Sequence, residues 1–417
     1  MPKSGQMAKS VQGVRELYRM LVAGGISLDP LDRAPTVDDV RLIARRRLPK
    51  MAFDFIDGGA DAEITLRANI ADLARVMLHR HSLVDVSQLA LETKIVGETL
   101  PMPLIFGPCG SMRLAGGDGE LSAVRAAGKA GLVYTISSAS SWSIEELAAE
   151  ATGPLWFQLY QWRSDEVVSQ LVSRAKAVGC TALVVTVDVP INGKRARDHR
   201  NGMSIPPQIT VRNAIGVARH PAWFRSVLKE PPIGFRNLLG IAEGSSAMSH
   251  QEYINTELAN LTASWDDITA LRREWDGPLF VKGLTTVADA QSAAAAGADG
   301  IFVSNHGGRQ LDGLPSSIST LPRIVDAVGD RLDIVFDGGI RHGSDVVKAV
   351  AVGADAVAVG RSWVWGLAAA GERGVDYVAR LYRQEIEETM RLMGVTQVGD
   401  LDRSWVDYPS EWDQLGA

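Results

Sequence analysis

The chain has 417 residues, 46% of them hydrophobic and 22% charged, ample for a large buried core. A net charge of −6 gives no global reason to expect a nucleic-acid partner. Cys109 and Cys180 are the only cysteines and do not form a CxxC, so neither a disulfide framework nor a metal site is expected.

The opening residues are polar, lack the apolar core of a signal peptide, and read as an arm over 1–35. No apolar run reaches the length of about 18 residues that a membrane span needs. The expectation is a cytoplasmic protein, at most peripheral on the inner face of the cytoplasmic membrane. Thr36 with Asp39 is a capping-box pattern that opens a helix with Val40 and Ile43 inward. That helix carries Arg45, Arg46 and Arg47 and meets Pro49, after which Lys50 to Asp57 leads into the Gly58-Gly59 break.

From residue 100 onward a rhythm sets in. Short apolar runs begin near 103 (PLIFGP), 131 (GLVYTISS), 154 (PLWFQLY) and 182 (ALVVTVD). Four more begin near 278 (PLFVKG), 300 (GIFVSNHG), 332 (LDIVFDGG) and 356 (AVAVGR). Nearly continuous apolarity marks strands covered on both faces. Helical patterns such as Ser164 to Val178 and Thr286 to Ala296 lie between them. Eight such units predict a closed parallel (β/α)8 barrel in a single domain over 36–417, an open doubly wound sheet being the alternative. No G-x-G-x-x-G follows any of the runs, which disfavours a dinucleotide-binding sheet. The one overlong interval, between 182 and 278, implies an insertion at about 189–264 on the face where barrels hold their sites.

Residues at the ends of the runs should converge. They are Pro108, Cys109, Ser137, Gln158, Tyr160, Thr186, Asp188, Lys282, Ser304, His306, Asp337, Gly360 and Arg361. Ser304 to Gly313 (SNHGGRQLDG) is the richest segment. Imidazole is the side chain that exchanges a proton at physiological pH, and an arginine three residues on can clamp a carboxylate. Asp188 could orient the imidazole of His306. Asp337-Gly338-Gly339-Ile340-Arg341 and Gly360-Arg361 follow the last two runs, the usual phosphate cradle of these barrels. Lys282 could offset negative charge on a reduced ring, or simply pair with a carboxylate. Arg195, within a basic run, reads by itself as a solvated charge.

SNHGGRQLDG and the glycine-arginine loops resemble the FMN-dependent L-2-hydroxy acid oxidising family, which includes glycolate oxidase, respiratory L-lactate dehydrogenases and mandelate dehydrogenase. The resemblance runs from about Thr36 to the C-terminus. It implies an FMN cofactor faced by Pro108, Cys109 and Gly110. Ser137, Gln158, Thr186, Lys282 and Ser304 would sit at the ring, and Asp337, Gly339, Arg341, Gly360 and Arg361 at the phosphate and ribityl chain. Tyr160, Arg195, His306 and Arg309 would face a small 2-hydroxy acid, with Asp188 behind His306. A quinone or oxygen would take the electrons, and a homotetramer or octamer is expected. The family usually has a tyrosine where this chain has Phe55, and often a bulky pocket residue where it has Ala139. The rival readings are a phosphate-binding barrel isomerase or aldolase, and an FMN-binding barrel with a decayed substrate site.

The insertion is basic between Met203 and Ala242, with Arg212, Arg219, Arg225, Lys229 and Arg236 against Glu230 alone. Ile205, Val211, Ile215, Trp223, Phe224, Leu228, Phe235 and Leu238 interleave. Such a segment suits either an anionic membrane surface or a lid over the barrel mouth.

Overall fold

Every one of the eight apolar runs contains a strand of one closed parallel barrel. In the computed structural model, which describes residues 29–203, 210–211, 213–228, 233–238 and 260–414, they are β1 (Leu104–Phe106), β2 (Tyr134–Ser137), β3 (Leu155–Tyr160), β4 (Ala182–Thr186), β5 (Leu279–Leu284), β6 (Gly300–Val303), β7 (Asp333–Asp337) and β8 (Ala356–Val359). The strands pair in chain order, and β8 closes on β1 with Val357 opposite Leu104. Open-sheet topology is thereby ruled out.

The lower half of the barrel is filled by side chains. Trp156 stacks on Phe280 with ring centroids 4.8 Å apart, and Phe302 meets Phe280 edge-on at 5.7 Å. Gly300 makes that packing possible: a Cβ there would lie 2.2 Å from the Phe280 ring. A hairpin of Thr93–Ile95 and Glu98–Leu100 adds Ile95 and Leu100 to this apolar cluster. The barrel is a packed plug below and leaves only its C-terminal mouth for chemistry.

Among the described residues, three α-helices precede β1. α1 (Val37–Arg47) starts from the predicted capping box: the Thr36 hydroxyl accepts from the Asp39 N–H, and the Asp39 carboxylate accepts from the Thr36 N–H. Val40 and Ile43 are buried, as their spacing requires. α2 (Lys50–Asp57) ends at Gly58, and α3 (Ile64–Arg75) follows. Packed structure is present before Thr36, because Pro30–Arg33 forms a 3-10 turn that buries Leu31. Tyr377 from the long helix Glu372–Met393 donates a hydrogen bond to the Ala34 carbonyl. The arm expected over 1–35 therefore ends in packed structure, and residues 1–28 lie outside the described residues.

Candidate active site

The strand register sets the floor of the mouth. Ser137 lies opposite Gln158, Tyr160 opposite Thr186, and Thr186 opposite Lys282. Their side chains form a buried polar chain across the barrel. The Ser137 hydroxyl donates to the Gln158 carbonyl oxygen at 3.0 Å, and the Gln158 amide donates to Thr186 Oγ1 at 3.0 Å. Lys282 donates to Ser304 Oγ at 2.8 Å and lies 3.0 Å from Asp337 Oδ2. Burial alone would discharge this lysine; the Asp337 and Asp188 carboxylates more than offset it and hold it above its ordinary value. It is a fixed cation.

Above this floor, His306 Nδ1 lies 2.9 Å from Asp188 Oδ1. Burial pushes Asp188 up, but His306 and Lys282 together hold it below the ordinary carboxylate range. With Nδ1 committed to a carboxylate, Nε2 is left for chemistry. The turn that presents the imidazole is left-handed, with φ of +57° at His306 and +61° at Gly307. Only short turns of this kind tolerate a non-glycine residue, and they concentrate at functional sites.

Arginines line one side of the same cavity. Arg309 Nη1 donates to the carbonyls of Phe55 and Gly58, both at 2.8 Å, and Arg361 Nη2 donates to the same Gly58 carbonyl at 2.9 Å. The Phe55 ring lies 5.3 Å from the Arg195 guanidinium and 5.4 Å from that of Arg309, so its face serves both cations. Burial and the neighbouring arginines lower Arg309 to about 10 and Arg361 to about 9. Cations crowded until they titrate early are a cluster short of anions.

Arg195 is placed by its own loop. It pairs with Asp198 at 2.9 Å, while Arg197 reaches back to Asp57 at 3.0 Å and to Glu63 at 2.5 Å. Asp57 is also held bidentately by Arg41. This network ties the loop after β4 to α1 and α2.

The loops after β7 and β8 complete the cavity. Gly338 and Gly339 have φ of +114° and +86°, where an L side chain is strained, and a Cβ on Gly339 would lie 2.2 Å from the Asn69 carbonyl oxygen. Their backbone, with Gly360, Arg341 and Arg361, offers N–H donors and charge together. Arg361 Nε and Asp337 Oδ1 are buried with no partner. This donor set fits FMN: a cationic glycine cradle for the phosphate beside a flat floor of amide, hydroxyl and ammonium donors for the ring.

One cavity of about 220 Å³ brings together Phe55, Pro108, Cys109, Gly110, Gln158, Tyr160, Thr186, Arg195, Lys282, His306, Arg309, Asp337, Gly339, Arg341, Gly360 and Arg361. Ser137, Ser304 and Asp188 stand one shell behind, bonded to lining residues. Ala139 does not line the cavity. Its methyl and carbonyl pack beneath Gly110, where a Cβ would lie 2.8 Å and 2.7 Å from them. Burial, with the Asp188 charge, raises the Tyr160 phenol well above its ordinary value, so it is a neutral donor; burial pushes the Cys109 thiol to about 12, too high for a nucleophile.

Sequence reasoning missed Phe235, which also lines the cavity. The insertion's position on the active face was the available signal. Trp223, Val217, Ile233 and Leu238 of the same segment are buried, and Trp223 Nε1 donates to the Leu114 carbonyl at 2.8 Å. Val211, Ile215 and Leu228 are exposed. Ile205, Arg212, Lys229 and Glu230 lie outside the described residues.

A cradle for a flat, phosphorylated cofactor beside an imidazole–carboxylate pair on a β/α barrel defines a class, the flavin-dependent oxidoreductases. A family model described as FMN-dependent dehydrogenase matches residues 44–408. The chain belongs to that family, and FMN is its cofactor. It is 43% identical over 366 residues to an L-lactate dehydrogenase of Pseudomonas aeruginosa, covering 87% of this chain and 95% of that one. A crystal structure of the monotopic membrane protein (S)-mandelate dehydrogenase superposes with a TM-score of 0.85 at 36% identity, covering 90% of this chain and all of that one. A mandelate oxidase structure gives a TM-score of 0.76 at 38% identity, with 90% and 98% covered.

Proposed function

We propose that His306 is the base, and Arg309 and Arg195 the carboxylate clamp, of an FMN-dependent dehydrogenase that oxidises an L-2-hydroxy acid to the 2-oxo acid. The observation that carries this reading is the His306–Asp188 pair at 2.9 Å in the same cavity as two guanidiniums facing one aromatic ring. A phosphate isomerase or aldolase would account for the cradle but not for that pairing. The chain acts as one catalytic unit over 36–417, and the described part of the insertion at about 189–264 contributes Arg195 and Phe235 to its mouth.

Arg309 and Arg195 grip the carboxylate and so fix which face of the 2-carbon is presented. Tyr160 donates its phenolic hydrogen. His306 takes one of the two hydrogens of the CH–OH group as a proton at Nε2, the other hydrogen and the electron pair being what the bound cofactor would accept, and Asp188 stabilises the imidazolium that results. Bound FMN supplies the two-electron acceptor. Gln158, Thr186 and Lys282 would orient its ring, Lys282 holding positive charge beside it, while Arg341, Arg361 and the glycine loops would hold its phosphate. A quinone-type acceptor then takes the electrons, oxygen being the alternative that an oxygen electrode would reveal.

Phe55, Val189 and Phe235 all line the cavity, and this apolar wall supports a substrate side chain larger than methyl. Anaerobic L-2-hydroxy acids should bleach the flavin, with bulky aliphatic or aromatic ones outrunning lactate and glycolate by more than ~10-fold in kcat/KM. Phe55→Tyr should help the small acids most. No bleaching by any of them sinks the function; lactate as best substrate, with Phe55→Tyr raising all rates equally, sinks the large-side-chain reading.

The insertion supports a double role. Its inward residues cover the mouth, while Val211, Ile215 and Leu228 are exposed on the same segment as Arg219 and Arg225. Among the described residues no helix is long and apolar enough to cross a membrane, so contact would be peripheral. Basic residues at an anionic surface contribute about 1 kcal/mol each. The protein should float with anionic liposomes at low salt, and Ile215→Glu with Leu228→Glu should abolish this without changing soluble activity. Absence of flotation, or flotation unaffected by the pair, rejects membrane contact.

A further inference from the structure

The turn that carries His306 is built from three successive positive φ angles, +57° at His306, +61° at Gly307 and +69° at Gly308. An L residue avoids that region, so the histidine stays there only if its surroundings fix it. Within the turn, the His306 N–H donates to Ser304 Oγ at 3.1 Å, and Asn305 Oδ1 accepts from the Gly308 N–H at 3.1 Å. The remaining support for Asn305 comes from outside the barrel.

Asn69, on α3, forms a reciprocal amide pair with Asn305. Each Nδ2 donates to the other's Oδ1 at 2.8 Å. Both residues are buried, Asn69 at 1% and Asn305 at 2% exposure. Asn69 Oδ1 also accepts from the Ser317 N–H at 3.1 Å, and Asn305 Nδ2 donates to the Pro315 carbonyl at 3.0 Å. The same stretch of α3 abuts the loop after β7. A Cβ on Gly339 would lie 2.2 Å from the Asn69 carbonyl oxygen, and one on Gly338 would lie 3.3 Å from Asn69 Nδ2. The Asn69 side chain thus hydrogen-bonds the turn that presents the imidazole, while its backbone carbonyl and Nδ2 sit so close to the Gly338-Gly339 loop that only glycines fit there.

We infer that Asn69 is a positioning residue that holds the His306 turn and the Gly338-Gly339 loop in register, so that cofactor binding and base geometry are set together. This rests on the assignment of His306 as base. A buried amide pair is suited to the task because its bonds are directional and neither partner can turn to water for a substitute. A packing residue would fix distance but not the orientation of Asn305, and it is Asn305 that caps the strained turn.

The test compares Asn69→Ala, Asn69→Asp, Asn305→Ala and the Asn69→Ala/Asn305→Ala double variant. Asn69→Asp keeps the shape and the acceptor but loses the donor to Asn305 Oδ1, so it reads the bond even if the alanine variant folds poorly. At saturating FMN, each single variant should lower the limiting rate of anaerobic flavin reduction by about 10–100-fold, the scale of a small misplacement of a reacting group. Substrate affinity should stay within about twofold, because Arg309 and Arg195 are untouched. The apoprotein should bind FMN more weakly, and amide exchange of the 304–309 segment should rise. The double variant should be no worse than the more damaging single one, since the amide pair is lost in both. A melting temperature that falls while limiting rate, FMN affinity and exchange stay unchanged would overturn the proposal, as would losses that multiply in the double variant. Exchange and FMN affinity do not depend on which group is the base, so they separate failure of the positioning role from failure of the His306 assignment.

Discussion

His306→Gln should retain FMN and lose flavin reduction by about 10²–10⁴-fold, the range that a positioned general base contributes. Retention follows from the site's division of labour. The proposed phosphate cradle comprises Gly338, Gly339, Gly360, Arg341 and Arg361, and its bond to the histidine's turn among the described residues, from Arg361 to the Gly307 carbonyl, is one the substitution leaves in place. Loss follows from chemistry: glutamine can still hydrogen-bond Asp188 but has no basic nitrogen. The backbone at 306 is left-handed in either case, so no new strain confuses the comparison. Stopped-flow absorbance under anaerobic substrate is the measurement. Reduction by the variant at near the wild-type rate would assign the base elsewhere.

The barrel could be read because its strands obey a rule with few exceptions. A strand buried on both faces must be apolar throughout, and runs such as ALVVT over Ala182–Thr186 have no other economical explanation. The site could be read for a related reason: barrels expose only the ends of their strands at the mouth, so His306, Lys282 and Asp337 were bound to converge. Contacts between distant segments were harder. Nothing in Ile64–Arg75 marks Asn69 as the partner of Asn305, 236 positions away, because a mid-helix asparagine has the same local signature whether it faces solvent or a buried amide. Arg195 is the converse case. Within Lys194-Arg195-Ala196-Arg197 it reads as a solvated charge, and only the ion pairs of Arg197 with Asp57 and Glu63, which fasten the loop to the N-terminal helices, turn it inward. The resemblance that pointed to Ala139 says where relatives place a pocket side chain, but not whether a small one here packs beneath a neighbour such as Gly110 instead.

Arg309→Met should lower kcat/KM by at least about 100-fold while leaving FMN bound. Two charge-assisted bonds to a carboxylate are at stake, each contributing about 1.5–3 kcal/mol. Arg309 Nη1 is committed to the carbonyls of Phe55 and Gly58, so the group is held by protein on one side and has Nε and Nη2 left for substrate. Lysine cannot reproduce that fork, since one ammonium would have to serve two carbonyls and an anion at once. Arg309→Lys should therefore recover only part of the loss, and mostly in KM. Burial beside Arg195 lowers the pKa of this guanidinium to about 10 against an ordinary 12.5, which gives an independent check. Between those values the folded protein holds fewer protons than the unfolded chain, so its charge penalises the fold fully below about 10, and the penalty lifts as pH rises through that window. A bound carboxylate removes the penalty where it is greatest. A 2-oxo acid product should raise the melting temperature of wild-type holoenzyme at neutral pH, do so less as pH passes about 10, and do so much less for Arg309→Met. Equal stabilisation of wild type and variant would mean that the carboxylate is held by Arg195 alone, with Arg309 serving only to brace Phe55 and Gly58.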